Sequence, residues 1–205
     1  MHYPLAKQGV FRTIQGEGDL LGVPMIFVRL AGCSIGCPLC DTDYKVHERA
    51  AAEEIAARCT ALRLPSLPKG RMTVWVTGGE PTDHNLLPLM HALLDAEFAI
   101  AVATSGHKLW PKEVNAAVGF FSVSPHSPAQ WTVRQARGEL KIIPGLNGFH
   151  LKDFFPDDVR REWFGSKWCI PCEGKPETVR ECQEWVEANP DWKMGVQAHK
   201  CWGLA

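Results

Sequence analysis

The sequence lacks several features that would place it in a common class before any motif is considered. Over 205 residues, 22 Lys and Arg nearly balance 23 Asp and Glu, and the formal charge is −1. Such a balance provides no electrostatic footprint for nucleic acid or an acidic membrane surface. No apolar run is long enough to span a bilayer, and the first residues lack the apolar core of a signal peptide. We therefore expect a cytoplasmic protein with neither a nucleic-acid nor a membrane partner.

Internal repeats and low-complexity segments are also missing, so nothing in the composition divides the chain. With 45% hydrophobic residues, 205 residues can bury a substantial core, which predicts a single domain over residues 1–205. In a cytoplasmic protein, eight cysteines indicate reduced thiols and metal ligands more than disulfides. Eight tryptophans favour packing in the core and at a dimer surface.

Strand-like and helix-like segments alternate along the chain. Apolar runs rich in strand formers predict strands at 25–31, 73–77, 98–106, 120–124, 139–144 and 168–174. Helical periodicity predicts helices at 48–64, 84–97, 112–117 and 177–189. The alternation predicts an α/β fold with a parallel sheet. About six strands are too few for an eight-stranded barrel, so we expect an incomplete, open β/α barrel with few helices.

Three cysteines lie together in Cys33-Ser-Ile-Gly-Cys37-Pro-Leu-Cys40, and this segment contains no fourth. Thiolates are soft ligands that suit zinc or an iron–sulfur cluster. A closed zinc site and an ordinary four-iron cluster both take four ligands. Three thiolates therefore suggest a cluster with one open iron, as a catalytic centre requires. A zinc loop completed by a distant Cys or His, or three unrelated thiols, stays open as an alternative.

Polar groups follow or interrupt the predicted strands. The strand at 73–77 ends in Gly78-Gly79-Glu80, which predicts bare backbone amides and a carboxylate at the edge where α/β sheets bind ligands. Arg29 lies inside an apolar strand and needs a carboxylate partner, from the protein or from a substrate.

A glycine-rich segment precedes that strand. Residues 3–23 contain few helical signals, which predicts a loop or hairpin. Gln15 and Glu17 are displayed between Gly16 and Gly18, where the backbone can approach a ligand. A solvated turn explains these residues equally well.

The cysteine spacing and the glycine pair resemble the radical S-adenosylmethionine (SAM) superfamily. The flanking sequences narrow the resemblance to the 7-carboxy-7-deazaguanine synthase family. Six ordered blocks carry it along essentially the whole chain: 13–18, 27–33, 40–42, 77–81, 124–125 and 197–200.

This resemblance implies a radical SAM carbon–nitrogen lyase with a [4Fe–4S] cluster and Mg²⁺. The family contracts the ring of 6-carboxy-5,6,7,8-tetrahydropterin to 7-carboxy-7-deazaguanine with loss of ammonia, and SAM is regenerated in turnover. The resemblance also implies a homodimer and an external electron donor such as a flavodoxin or ferredoxin. The product leads towards queuosine and related deazapurines, and the pathway that consumes it is left open.

The family's functional positions transfer onto matching residues, and no side chain is expected to act alone as a catalyst. The resemblance implies a cluster held by Cys33, Cys37 and Cys40, and a magnesium ligand in Thr42. It implies SAM contacts from Leu39, Cys40, Asp41, Gly78, Gly79, Glu80, Ser124, Pro125, His126, Ile170, Pro171, Cys172 and Glu173. It implies pterin contacts from Ile14, Gln15, Gly16, Glu17, Arg29, Thr77, His199 and the terminal carboxylate of Ala205. Arg29 would then bind the substrate carboxylate, and Glu17 would accept from the ring's amino-pyrimidinone edge.

The sequence departs from the family in two places. His126 stands where a lysine commonly follows Ser-Pro, so a cationic contact to the cofactor is lost or becomes pH-dependent. The segment 170–173 is an atypical match that carries Cys172. Four further thiols suggest a second cluster, but Cys182 on an apolar helix face and Cys169 in a strand favour core positions.

Two other functions remain open at this stage. An activase that makes a glycyl radical on a partner protein would share the cysteine loop and the glycine pair. It would not need Arg29, Thr42 and the Gln15–Glu17 loop as a small-molecule pocket. A zinc-stabilised binding module would hold one zinc and no iron.

Overall fold

A computed structural model of the chain describes residues 1–38, 40, 43–132, 137–155 and 165–204. Its strands are β1 (His2–Ile14), β2 (Pro24–Leu30), β3 (Glu48–Ala51), β4 (Thr73–Gly78), β5 (Ala99–Thr104), β6 (Phe120–Val123), β7 (Gly138–Ile142), β8 (Ser166–Cys169) and β9 (Trp192–Met194). Its α-helices are α1 (Ala52–Ala61), α2 (Leu87–Asp95), α3 (Lys112–Ala117), α4 (Leu151–Phe154), α5 (Glu177–Ala188) and α6 (Ala198–Trp202). Short 3-10 helices lie at Gly18–Leu20, Pro81–Asp83 and Pro128–Gln130.

All nine strands form one sheet in the order β3-β1-β2-β4-β5-β6-β7-β8-β9. From β2 to β9 every neighbouring pair is parallel, whereas β1 runs antiparallel to both β2 and β3. The carboxyl ends of the parallel strands therefore meet at one edge of the sheet. The predicted α/β fold with an open sheet is confirmed.

The two faces of the sheet have different roles. Ile26 and Val28 of β2 pack into the main core with α1 and α2, and the alternate residues Met25 and Phe27 form a second cluster on the other face. Because side chains alternate along a strand, Arg29 lies on the same face as Phe27. Burial on both faces explains why β2 reads as a continuous apolar run.

Several predicted boundaries are wrong. Residues 48–51 do not begin a helix: Glu48–Ala51 is a strand paired antiparallel with β1, and α1 begins at Ala52. Pairing with β1 outweighs the helical propensity of this alanine-rich stretch. Likewise His2–Ile14 is a long strand that forms a hairpin with β2, so the loop option for its first part is wrong.

The carboxyl half of the chain contains similar shifts. The strand predicted at 168–174 is β8, which ends at Cys169 before Pro171. A further strand, β9, adds a seventh member to the parallel set in the described part of the chain. The predicted bounds of α3 are confirmed.

Most of the helical residues that periodicity places on the inner face are buried. Cys59 on α1 and Cys182 on α5 are fully buried, which confirms them as core residues. On α2 the spacing of Leu87, Met90 and Leu94 predicts an inward stripe. The inward residues are instead Leu89, Met90 and Leu93, and Leu94 is 42% exposed.

The four-residue spacing of Glu54 and Arg58 predicts an ion pair on α1, and this prediction is wrong. Arg58 contacts Glu48 at 2.7 Å, because the Glu54 carboxylate accepts from the backbone N–H of Ala51 at the start of α1. Within the part of the chain that the structure describes, no helix is both long and apolar enough to cross a membrane.

Candidate active site

A cavity of about 610 Å³ opens at the carboxyl ends of the parallel strands. It is lined by most of the residues that the sequence assigned to a site: Ile14, Gln15, Gly16, Glu17, Arg29, Cys33, Cys37, Cys40, Thr77, Gly78, Gly79, Glu80, Ser124, His126, Cys172, Glu173 and His199. Their placement in one cavity brings the cysteine loop, the glycine pair and the Gln15–Glu17 loop together. Their individual roles stay predictions.

Some assigned residues lie elsewhere. Pro125, Ile170 and Pro171 do not line the cavity, and Ile170 is fully buried. SAM contacts through the Ile170 and Pro171 side chains are therefore not supported by this arrangement. Leu39, Asp41, Thr42 and Ala205 lie outside the described residues.

The cysteine loop leaves β2 and lines the cavity with Cys33, Cys37 and Cys40, none of which is in a disulfide. Among the described residues, no three His, Cys, Asp or Glu side chains are grouped so as to hold a single metal ion. A four-iron cluster takes each thiolate on a different iron, so its ligands surround a larger body than one ion. Three thiols at the wall of one cavity are a donor set that suits such a cluster with one iron left open.

Asp83 anchors the beginning of this loop. Its carboxylate accepts from the backbone N–H of Ser34 at 2.7 Å and from the Ser34 hydroxyl at 2.8 Å, and it pairs with Lys108. Burial opposes ionisation, but the Lys108 ammonium and the Ser34 donors together lower the pKa of Asp83. The residue after Cys33 is thus tied to the exit of β4.

Cys37 lies in a small polar cluster. Its sulfur is 2.9 Å from Nδ1 of His126 and 3.4 Å from the amide nitrogen of Asn147, which also donates to the His126 carbonyl at 2.9 Å. Burial raises the pKa of the Cys37 thiol, while the hydrogen bond from Asn147 acts in the opposite direction. His126, the departure from the family pattern, therefore faces a predicted cluster ligand.

The glycine pair packs against the cysteine loop. A Cβ on Gly79 would lie 1.6 Å from the carbonyl oxygen of Gly32, so only glycine fits. The backbone N–H of Gly79 donates to Leu30 and that of Glu80 donates to Gly32. The sequence prediction of bare amides is therefore wrong at these two positions, because they hold β4 to the end of β2.

Glu80 is buried beneath the glycine pair. Its carboxylate accepts five hydrogen bonds, two from Thr82, one from Thr104 and two from Ser105. His107 Nδ1 lies 3.9 Å from one of its oxygens. Through these hydrogen bonds the buried Glu80 carboxylate connects the ends of β4 and β5.

The Gln15–Glu17 loop is closed by the last helix of the chain. The backbone N–H of Ala198 donates to the Gly16 carbonyl at 2.9 Å, and a Cβ on Gly16 would lie 2.5 Å from His199 Nδ1. The loop therefore requires glycine at position 16 for packing against α6. Gln15 is buried and accepts from the N–H groups of residues 16 and 17.

The Glu17 carboxylate is held from two elements. Lys141 Nζ of β7 lies 2.6 Å from one oxygen, and the Gln197 amide donates to the other at 2.8 Å. Burial alone would raise the pKa of Glu17, but Lys141, Gln197 and His199 lower it to about 2. Glu17 is consequently an ionised acceptor at neutral pH.

A second acidic residue of β7 supports the same loop. Glu139 accepts from the backbone N–H of Asp19 at 2.6 Å and from the Ser122 hydroxyl at 2.7 Å. A Cβ on Gly18 would lie 2.1 Å from a Glu139 oxygen, and Gly18 has a φ of +67°. Burial raises the pKa of Glu139.

Arg29 faces the cavity with Thr77, its register partner on β4. One guanidinium nitrogen donates to the Gln8 side-chain oxygen at 2.6 Å, and the group lies 5.0 Å from the centre of the Phe11 ring. Gln8 supplies an amide oxygen to Arg29, and a carboxylate partner for Arg29 stays a prediction. Gln8 and Phe11 thus help to position the Arg29 guanidinium at the cavity wall.

The cavity also has an aromatic floor, which was not predicted from the sequence. Phe27 and Trp75 line the cavity, and their ring centres are 6.2 Å apart. Phe11 and Phe120 continue the row on either side. A flat apolar floor suits a heteroaromatic ring. Period-2 alternation within the predicted strands was the signal that could have placed Phe27 and Trp75 beside Arg29 and Thr77.

Lys141 was also missed, although its signal resembles that of Arg29. It interrupts the apolar run of β7, and a buried charge requires a partner.

No protein-family model matches the chain, but individual proteins do. The 7-carboxy-7-deazaguanine synthase of Escherichia coli (strain K12) is 30% identical to this chain over 233 residues, and the match covers both chains completely. That of Prochlorococcus marinus is 24% identical over 227 residues, 95% of each chain. That of Rickettsia prowazekii is 38% identical over 113 residues, 54% of this chain and 48% of that protein. The crystal structure of QueE from Escherichia coli matches with a TM-score of 0.68 and 25% identity, covering 97% of this chain and 95% of that one.

Proposed function

The chain belongs to the 7-carboxy-7-deazaguanine synthase family, and we propose from this premise how its cavity serves the family reaction. It is a radical SAM lyase that converts 6-carboxy-5,6,7,8-tetrahydropterin to 7-carboxy-7-deazaguanine and ammonia. One observation carries the assignment of the cavity: the three cysteines of the loop, the glycine pair and the Gln15–Glu17 loop line the same space. A binding module without small-molecule chemistry has no use for that combination.

Cys33, Cys37 and Cys40 would hold a [4Fe–4S] cluster and leave one iron for SAM. When bound, the cluster and SAM would supply the radical chemistry for hydrogen abstraction from the pterin. The protein's part is to hold the thiols, bind both small molecules and keep their reacting atoms adjacent.

SAM would lie between the cysteine loop and the ends of β4 and β6. The amino group of SAM donates hydrogen bonds, so the backbone carbonyl groups of Gly78 and Gly79 suit it as acceptors. The backbone N–H groups of Gly79 and Glu80 already donate to Leu30 and Gly32. Ser124, His126, Cys172 and Glu173 line the same part of the cavity. Their contacts to SAM are supported by this placement and by the sequence resemblance.

The pterin would lie over Phe27 and Trp75, with its carboxylate at Arg29 and its amino-pyrimidinone edge at Glu17. Gln15, Thr77 and His199 line the space between these groups. Thr42 would hold Mg²⁺ through its hydroxyl, since Mg²⁺ prefers oxygen ligands, and the ion would supply positive charge for the substrate carboxylate. Ala205 would add its terminal carboxylate to the pterin site.

We also propose a cytoplasmic homodimer of single-domain chains that receives electrons from a flavodoxin or ferredoxin. The single sheet through the described chain supports one domain. Met194, Val196 and Trp202 near the β9 edge are at least 40% exposed, and exposed apolar side chains support a contact with a second copy. The product would enter a pathway to queuosine or another deazapurine.

The decisive experiment is an anaerobic assay of reconstituted protein with the pterin, SAM, reductant and Mg²⁺, followed by mass spectrometry. We expect 7-carboxy-7-deazaguanine in amounts that exceed the SAM consumed. An unchanged pterin together with a radical formed on a partner protein would instead support the activase alternative. One equivalent of zinc, no iron and no charge-transfer absorption in anaerobically purified protein would support the zinc-stabilised module.

A further inference from the structure

Lys141 is a buried cation at the wall of the proposed pterin site, and neither the cysteine motif nor the family blocks include it. It is 6% exposed and belongs to β7, between Leu140 and Ile142 of the main core. Its ammonium lies 2.6 Å from the Glu17 carboxylate. The side chains of Lys141 and Glu17 are 8% and 13% exposed. A lysine in this position is costly to bury unless its charge has a defined use.

Other contacts already hold the loop that carries Glu17. Glu139 binds the Asp19 backbone, and Ala198 binds the Gly16 carbonyl. Lys141 acts at a different point, because it contacts the Glu17 carboxylate rather than the loop backbone. Its contact with Glu17 therefore acts on an acceptor group inside the cavity.

That acceptor retains capacity for a ligand. Each Glu17 oxygen accepts one described hydrogen bond, from Lys141 or from Gln197. An ionised carboxylate has about four acceptor positions, so each oxygen has one more to offer. Two parallel acceptors match a ligand edge that carries two neighbouring N–H donors.

We propose that Lys141 is a positioning residue for substrate recognition. It holds the Glu17 carboxylate in the orientation in which that carboxylate accepts hydrogen bonds from two neighbouring N–H donors of the pterin ring. The inference rests on the proposed function, because it takes the pterin as the ligand of this cavity. It assigns Lys141 to substrate selection and assigns it no part in cluster or SAM chemistry.

The charges around Glu17 support this division. Lys141 from β7 and His199 from α6 act on Glu17, and Glu139 also interacts electrostatically with Lys141. The pKa of Glu17, about 2 with these partners present, lies far below the range of the assay. Without Lys141 the burial of Glu17 remains and its main counter-charge is lost, so the pKa of Glu17 rises.

The test compares Lys141→Met, Lys141→Gln and Lys141→Arg with a matched control, Lys167→Met. Lys167 is a buried lysine on the neighbouring strand β8, paired with Asp191, and it does not line the cavity. We expect Lys141→Met and Lys141→Gln to raise KM for the pterin roughly tenfold or more, because a buried carboxylate loses its charged partner. Lys141→Arg should recover most of the loss, and Lys167→Met should leave KM unchanged.

Two readouts separate positioning from general damage. Iron content and SAM cleavage without pterin should match wild type in all four variants. KM of Lys141→Gln should increase further as the pH is lowered from about 8 to 5, because Glu17 then takes up a proton, whereas wild-type KM should not show this increase. An unaltered KM in Lys141→Gln, or an equal rise in Lys167→Met, would overturn the inference. Should Lys141→Met fail to fold, the Gln and Arg variants decide the question.

Failure of the proposed function gives a different result. Calorimetric titration of the pterin into the cluster-free protein measures recognition without turnover. Wild-type protein that binds the pterin and loses affinity on Lys141→Gln, yet forms no deazaguanine, would retain the role of Lys141 and reject the reaction. Wild-type protein that neither binds nor converts the pterin would reject both.

Discussion

Asp83 binds Ser34 through both oxygens of its carboxylate, and so joins the loop after β4 to the residue that follows Cys33. We predict that Asp83→Ala loosens the cysteine loop and increases the rate at which a chelator removes iron by several-fold. Asp95→Ala, on the exposed end of α2, is the control. Iron release is followed by absorbance under anaerobic conditions. Equal release rates in the two variants would show that Asp83 does not hold the loop.

Gly79→Ala should be far more damaging than its chemistry suggests. The added methyl would lie 1.6 Å from the Gly32 carbonyl oxygen, so the cysteine loop or β4 has to move. We expect a loss of about 3 kcal/mol or more in the free energy of unfolding, together with loss of iron. Gly119→Ala is a matched control, because its Cβ would lie 3.6 Å from the nearest atom. Urea unfolding of both variants tests the comparison, and similar stabilities would contradict it.

The thiols divide into two groups with different expected phenotypes. Alanine at Cys33, Cys37 or Cys40 should abolish both cluster assembly and turnover, because each thiolate would bind a different iron. Cys201→Ala on the surface and Cys59→Ala in the core should assemble the full cluster. Iron and sulfide analysis after reconstitution distinguishes the groups, and full assembly in any variant of the first group would remove that residue from the ligand set.

Arg29→Ala should weaken use of the pterin while leaving the cluster intact. The guanidinium lies at the cavity wall, and a bidentate contact with the substrate carboxylate is worth about 2 kcal/mol or more. KM for the pterin should therefore rise by roughly thirtyfold, with little change in SAM cleavage without pterin. Arg12→Ala, which loses an exposed contact to the Leu62 carbonyl, is the control. A wild-type KM in Arg29→Ala would refute the carboxylate assignment.

Acid should selectively remove the stabilisation that comes from Glu17. Its pKa is about 2 in the folded protein, below the ordinary value of 4.5. The stabilisation is complete above the unfolded value and is lost as the pH falls from there towards 2. We expect Glu17→Gln to cost on the order of 3 kcal/mol at pH 7 and much less near pH 3.

Urea unfolding of the cluster-free protein at both pH values measures this change. Glu184→Gln is the control, since the Arg180–Glu184 pair is exposed and contributes little. A Glu17→Gln penalty that stays constant between the two pH values would contradict the depressed pKa.

The periodic and local signals in the sequence predicted the elements that place the site. The run around β2, the glycines after β4 and the cysteine spacing are short-range features, and they reappear at one edge of the sheet. The strand at Glu48–Ala51 was not predictable in this way, because it pairs with His2–Leu5, which lies far away in the sequence. Local propensity contains no information about that pairing.

The electrostatic partners in the site were harder to predict for the same reason. Glu17 and Lys141 each carry a recognisable signal, a displayed carboxylate and a charge in an apolar strand. Their contact joins residues 124 positions apart, and the sequence alone does not pair them. The use of the Gly79 and Glu80 amides was likewise hidden, because it depends on how closely β4 approaches the cysteine loop.

The contact between Gln197 and Glu17 spans 180 positions, nearly the full chain. A contact between residues so far apart in sequence has a large entropic cost of loop closure, and such contacts tend to form late in folding. The thiols of the cysteine loop, by contrast, are near neighbours in sequence and are made early by the ribosome. A nascent or truncated chain that stops before Gln197 would therefore already carry the cluster ligands while its pterin site is still unfinished.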